Sequence, residues 1–460
     1  MTLMKSLLLG SAATLVVVAG AQAADLPTKK GAPAAEYVKV CKIDGMAGFV
    51  IPGSDTCLKI TGYLTAQVEA GTFSKGYSYT TGSQLFYTGV PTSTRNQIGY
   101  TTRAELEFIT KTNTAYGVLT SDIDTQFNYG SGFDNTGAGN GFINHGFLNW
   151  AGITAGKANS FFSFFGGGEG WANIFSPDRQ GFNQPLLLAY TATFGGGFSA
   201  TVSLEDPVES GPSGGGTDMN FAGNSTVLGQ RAPDIVGSLD LAQGWGGAHL
   251  AGVAHNDRDS IVGTVTDAGV VLTSRAASVD TWGYGVIGGV TFNLPMLSAG
   301  SKIAFQGAYA DGAIGYSGAG SPAWGEQDQG FNTNGNGLLF PMADGVFEVD
   351  GTYHKSQAWS AAAQLTWKVS PNFEIDPELA YASVAYDSGT AADWGVSPKA
   401  TAWWVGAVFD WSPVKNLDFA LDAVYESSHQ TTPVGWTLTN GPFQNNADGF
   451  NGRLHVVRSF

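Results

Sequence analysis

Gly283-Tyr284-Gly285-Val286-Ile287-Gly288 fits the spacing of a dinucleotide-binding turn, and Gly211-Pro212-Ser213-Gly214-Gly215 fits that of a serine nucleophile elbow. Each motif needs a frame. The first requires a strand, a tight turn and a helix N-terminus to receive a pyrophosphate. The second requires a sharp strand-to-helix bend. Residues 283–288 instead lie inside a run of strand-like alternation with no helix after it, and 211–215 lie in a glycine-rich stretch where chance matches are expected. The six histidines, His145, His249, His255, His354, His429 and His455, show no HExxH or comparable ligand spacing. A dispersed Ser-His pair is recognised by geometry alone, and nothing in the chain singles one out. The sequence therefore reads as a protein with no catalytic residue, no metal site and no cofactor.

Two cysteines, Cys41 and Cys57, are separated by fifteen residues. What they do depends on where the chain goes. The opening MTLMKSLLLGSAATLVVVAGAQA has the export pattern: a basic start at Lys5, an apolar core from Leu7 to Ala19, and a small-x-small site at Ala21-Gln22-Ala23. The apolar run is too short for a stable membrane helix, so residues 1–23 are expected to be a signal peptide. In an exported chain such a pair defaults to a disulfide, with a metal pair the weaker alternative because no histidine is near. A loop of this length gives about 3 kcal/mol of stabilisation in the chain-entropy model. Residues 24–57 would form an N-terminal segment around that staple, and 58–460 the body. Without Lys5 the chain carries 21 basic and 38 acidic side chains, a net of −17, the wrong sign for a nucleic-acid partner.

The elements that must position any site follow from one repeated pattern. In LKITGYLTAQVE, Leu58, Ile60, Gly62, Leu64, Ala66 and Val68 alternate with Lys59, Thr61, Tyr63, Thr65, Gln67 and Glu69. RAELEF, QAWSAAAQLTWKV, FEIDPELAY and LDFALDAVYE repeat this. A period of two is a strand with one apolar and one polar face; a helical stripe in these windows would bury Glu and Asp beside Leu. The runs reach ten to fourteen residues, longer than the roughly five or six usual in soluble proteins and enough for a tilted strand to cross a bilayer. Connections alternate in length too. FGGGF at 194–198 and WSPVKN at 411–416 are short; SGPSGGGTDMNFAGNS at 210–225 is long and glycine-rich. Short turns at one rim and long loops at the other suit an outer-membrane β-barrel, closed because lipid offers no partner to a strand edge.

Segmentation gives sixteen antiparallel strands, near 58–70, 100–110, 115–127, 142–150, 152–157, 186–194, 198–205, 234–242, 247–256, 279–292, 301–311, 357–369, 372–386, 400–411, 416–428 and 448–460. A ring that wide is too large for side chains to fill, so water occupies the lumen. Trp150, Trp245, Trp282, Trp367, Trp403 and Trp411 fall near strand ends, where interfacial girdles lie. The last strand ends in Phe460, facing the lipid interface. Arg458 shares its row and must snorkel toward headgroups.

The assembled residues resemble the alphaproteobacterial general porins. The matching pieces are MxxKSLLLGSAA…AQAAD, VCKIDGMAGFVIPGSDTCLKITGYL around both cysteines, ITAGKANSFFSF at 153–164 and the terminal Arg-Ser-Phe. The resemblance implies a homotrimer of sixteen-stranded barrels in outer-membrane lipid, passing small hydrophilic solutes and ions by diffusion. It implies that the assembly machinery reads Phe460, and that the loop from Ala158 to Gln184 folds into the lumen as a constriction. That loop carries Glu169, Asp178 and Arg179. Facing charges are expected from lumen-facing Lys59, Arg103 and Arg453 on adjacent strands. Acids outnumber bases on the polar rows, so weak cation preference is expected. A substrate-selective channel, for example for sugars, is the alternative, and Tyr63 and Trp404 fit either reading. A non-conducting adhesin-type barrel is the third.

Overall fold

The computed structural model describes residues 39–71, 77–81, 87–91, 98–132, 140–164, 184–207, 226–228, 231–261, 264–267, 270–273, 277–318, 343–348, 350–394, 397–432 and 445–460. One antiparallel sheet holds eighteen strands. They are β1 (Val40–Ile43), β2 (Met46–Val50), β3 (Cys57–Gly71), β4 (Ile98–Thr114), β5 (Gly117–Gly132), β6 (Asn140–Trp150), β7 (Ile153–Lys157), β8 (Leu186–Gly195) and β9 (Phe198–Glu205). The rest are β10 (Asp234–Gln243), β11 (Gly246–Asp257), β12 (Thr281–Asn293), β13 (Lys302–Asp311), β14 (Gln357–Ser370), β15 (Phe373–Ala385), β16 (Lys399–Val414), β17 (Leu417–Gln430) and β18 (Asn446–Ser459).

Eighteen corrects the expected sixteen, and the difference has one source. Each strand from β3 to β18 pairs with the next, and β18 returns to β3 over Asn451↔Gly71 to Ser459↔Tyr63. The extra strands are the hairpin β1–β2. It joins β3 only at Phe49↔Leu58 and Val50↔Cys57, beyond the stretch of β3 that β18 occupies. The turn of this hairpin is Asp44-Gly45, with φ of 46° and 77°, the two-residue geometry for which Asp-Gly is preferred. A disulfide between Cys41 and Cys57 fastens β1 to the start of β3.

The two faces of the ring invert the usual order of a soluble protein. Ile60, Leu64, Tyr100, Ile123, Phe127, Leu188, Val202, Leu250, Leu379, Val405, Leu421 and Leu454 are exposed on its outside. Thr65, Gln67, Glu69, Thr101, Arg103, Asp124, Gln126, Glu378, Asp422 and Arg453 are buried on its inside. Charged side chains are rarely buried in water-soluble folds. A closed sheet with an apolar skin is stable where hydrocarbon bathes the skin. Among the described residues no helix is long and apolar enough to cross a membrane; strands do the crossing.

Aromatic pairs mark the two edges of that skin. Tyr116–Trp150, Phe194–Phe198, Trp245–Phe292 and Trp411–Phe419 have ring centroids 5.6–5.7 Å apart at the short-turn rim. Tyr284–Tyr309, Trp359–Tyr381 and Trp403–Tyr425 stand toward the other end. Trp403 and Trp411 lie on one strand, so at about 3.3 Å per residue and a tilt near 40° the girdles are roughly 20 Å apart in height. Arg458 does not reach for headgroups alone: its Nη1 donates to the carbonyls of Asn416 and Ser459 at 2.8 and 2.9 Å.

Candidate functional site

The inner wall has two unlike halves. One half, from β16 through β18 and β3 to β6, is charged. Arg453 lies in register with Glu69 on β3 and Asp422 on β17, and its Nε is 3.1 Å from Glu69 Oε2 with both side chains buried. Arg103 Nε donates to Asn128 Oδ1 at 2.8 Å. Below it come Glu105, held by Gln126 Nε2 at 2.8 Å, and then Glu107, Asp122, Asp124 and His145. Acids also line β15, where Glu378 accepts from Gln364 Nε2 at 2.6 Å and Glu374 pairs with Lys368.

The opposite half is paved with small residues. Ala251 and Val253 on β11, Gly285, Ile287 and Gly289 on β12, and Ala308 and Ala310 on β13 share one inward surface. On it rests the chain that follows β7. Phe162 is fully buried there with Val236 and Tyr316, and Phe161 and Phe164 pack beside it. A Cβ on Gly285 would meet Tyr316 Cβ at 3.0 Å and Phe162 Cζ at 3.6 Å. Of the glycines in the apparent dinucleotide motif, Gly285 is a seat for aromatic rings, whereas Gly283 lies against the backbone of Gly312 and Gly288 has open space where a Cβ would be.

Polar contacts fix the same segment. Glu205, on β9, accepts from Ser160 Oγ at 2.6 Å and from the Phe161 amide at 3.1 Å. His249 Nε2 lies 3.1 Å from the Phe162 carbonyl oxygen while its Nδ1 lies 2.7 Å from Asp240 Oδ1. Gln184 Nε2 donates to Asn159 Oδ1 at 3.1 Å, closing the base of the loop. The start of the 158–184 connection is thus inside the ring. An inward-folded loop start, an acidic wall and an apolar exterior are parts of a membrane channel.

A family model, described as the Porin subfamily, matches residues 25–450. This chain belongs to that family. The porin is 28% identical over 387 residues to porin Omp2b of Brucella neotomae, covering 82% of this chain and 92% of that one. It is 29% identical over 396 residues to porin Omp2a of Brucella ovis, covering 82% and 97%. Its fold is similar to that of the outer membrane channel DcaP of Acinetobacter baumannii, with a TM-score of 0.59 and 17% identity over 90% of this chain and all of the other. The porin is therefore an outer-membrane protein whose barrel forms a water-filled channel for small hydrophilic solutes and ions.

The structure spreads the expected charges of the porin along its wall. Lys59, Arg103 and Arg453 do sit on the adjacent strands β3, β4 and β18, facing inward. Measured along β3, Arg453 stands opposite Glu69, Arg103 opposite Thr65, and Lys59 lies six residues further on. Those steps are about 13 and 20 Å, so the three do not form one ring. Glu169, Asp178 and Arg179 lie outside the described residues. Tyr63 and Trp404 both face the lumen, and Trp404 is fully buried. Missed from sequence were His249, Asp240 and Glu205, which anchor the loop. The signal available was the pair Gly285 and Gly289 on one inward face, whose lack of bulk announces something lying against it.

Proposed function

We propose that this porin is a passive sieve with weak cation preference. The observation that carries this reading is the charge of the inner wall. Glu69, Glu105, Glu107, Asp122 and Asp124 on β3–β5, Glu374, Asp376 and Glu378 on β15, and Asp410, Asp418 and Asp422 on β16 and β17 face inward. Lys59, Arg103, Lys111, Lys368 and Arg453 are the bases facing them from the same strands and β14 and β18. Cations are concentrated by such a wall and anions depleted. In this reading the rest of the 158–184 loop, with Glu169, Asp178 and Arg179, narrows the lumen, short turns face the periplasm, and the barrels assemble as trimers. Residues 1–23 direct export and are removed.

Reversal potentials of single channels in a salt gradient test the preference, with a modest positive selectivity expected and clear anion selectivity fatal to it. Liposome swelling with sugars of graded size separates sieve from binder. A smooth decline with size supports the sieve; one sugar far off the line supports a selective site at residues such as Tyr63. Cross-linking of the detergent-extracted protein reads the trimer.

A further inference from the structure

We infer that the lumen wall carries a site for a zinc-like divalent cation, formed by His145, Asp122 and Glu107. The three come from adjacent strands, and a bulge brings them together. The β5–β6 register runs Asp124↔His145 and then Thr125↔Ile143, leaving Asn144 as the extra residue. An inserted residue reverses which side chains face inward beyond it, and here it turns His145 into the lumen. Its Nε2 lies 3.4 Å from Asp122 Oδ1 and 3.9 Å from Glu107 Oε1, and the three donor atoms lie within 4.8 Å of one another. Bonds of about 2.0–2.1 Å to a tetrahedral zinc ion put its ligand atoms about 3.3–3.4 Å apart. The first spacing already has that value, and the second needs a shift of about half an ångström.

Two further features point to a cation and not merely to crowded acids. Behind the imidazole, Nδ1 faces Asp124 Oδ2 at 3.5 Å, and the same oxygen accepts from Asn144 Nδ2 at 2.7 Å. A carboxylate on the far nitrogen is the arrangement that orients a metal-binding histidine. Asp124 Oδ1 is a buried oxygen without a hydrogen-bond donor on a side chain only 3% exposed, and the buried Asp122 Oδ1 has the imidazole Nε2 at 3.4 Å facing it. Buried carboxylate oxygens so sparsely partnered are costly, and a cation shared by Asp122 Oδ1 and the neutral imidazole supplies positive charge to the cluster. One nitrogen with oxygens suits a borderline first-row ion such as Zn²⁺ better than Ca²⁺ or Mg²⁺, which prefer oxygen alone. Glu107, Asp122 and His145 keep 16–24% side-chain exposure, so the site is reachable from the lumen. Filling it would cancel part of the wall's negative charge.

The test is calorimetric titration of ZnCl₂ into the detergent-purified protein carrying His354→Ala, which removes the other candidate cluster of Glu348, His354 and Asp387. One Zn²⁺ per chain is expected. His145→Ala and Asp122→Asn should each weaken binding more than tenfold, and Asp124→Asn by about 10–100-fold although it removes no ligand. In planar bilayers Zn²⁺ should reduce cation preference in the parent and not in the His145→Ala channel. Heat-shifted gel mobility confirms that each variant is folded, and His145→Gln and Glu107→Gln replace any that is not. Absent saturable binding, binding indifferent to His145, or equal affinity for Ca²⁺ would each overturn the site.

Discussion

Gly289 lies directly beneath the ring of Phe164. A Cβ built on this glycine would sit 2.3 Å from Phe164 Cγ, so the absence of a side chain on β12 lets the ring of Phe164 lie on the wall. Gly289→Val must therefore lift the ring or move the strand. Overpacking of this kind costs about 1–3 kcal/mol, and the expected outcome is a lower urea midpoint together with an altered single-channel conductance. Gly288→Ala is the control, because that neighbour has nothing within 4 Å of an added Cβ. If both variants conduct alike, the seat does not position the loop.

Arg453 gives a second expectation. It stands between Glu69 and Asp422, both buried, at the seam where the ring closes. Removing one partner of a buried pair typically costs about 3–5 kcal/mol, because the remaining charges are left without compensation. Arg453→Gln leaves two acids facing each other and should lower barrel stability by that order. Arg453→Gln combined with Glu69→Gln should recover part of it. The readout is the unfolding midpoint from heat-modified gel mobility in graded urea. A double variant no better than the single would show that the pairing does not matter.

How much of this was legible beforehand depended on the length scale of the signal. Strand positions came through within a few residues, since the pattern at 57–71 or 373–385 is set by which atoms meet lipid and which meet water. That constraint acts on every second residue and leaves a dense record. The β1–β2 hairpin was missed although Asp44-Gly45 is a strong turn pair, because its strands are too short for alternation to register. The site was legible only in part. Lys59, Arg103 and Arg453 were placed on the inner face by parity, but their heights depend on register between strands, which a single sequence does not encode. The loop anchors His249 and Glu205 come from strands remote in sequence from Phe162 and Ser160, and only the closed ring brings them together.

Outside the strands, Asp280 links connections on the long-loop side. It accepts from Asn256 Nδ2 at 3.1 Å, pairs with Arg231 and lies 3.5 Å from Arg258 Nε. The Asn256 and Arg231 hydrogen bonds, helped by the nearby guanidinium charges, hold its carboxyl below the usual aspartate range. A carboxyl depressed in the folded state contributes stability above its unfolded pKa and loses it as pH falls through the lowered value. Hydrogen-exchange protection factors at 258–261 and 277–281, with the intrinsic pH dependence divided out, should therefore fall in strong acid and stay constant near neutrality. Asp280→Asn should show the lower protection at every pH, and a variant with unchanged acid response would contradict the assignment.

A variant at Phe460 can tell folding apart from assembly. Its main chain is fixed: the amide donates to the Gly62 carbonyl at 3.0 Å, and Thr61 Oγ1 donates to its carbonyl oxygen at 2.6 Å. The residue is 57% exposed, with its ring on the outer face beside Gly62. Phe460→Ala keeps both hydrogen bonds, and surface truncations of this kind usually change stability by about 0.5 kcal/mol or less. Purified variant refolded in detergent should then unfold at nearly the parental urea concentration. If the assembly machinery reads the terminal ring, the amount reaching the outer membrane of growing cells should fall several-fold all the same. Equal losses in both measurements would make Phe460 a structural residue. Full accumulation in cells would remove the recognition role altogether.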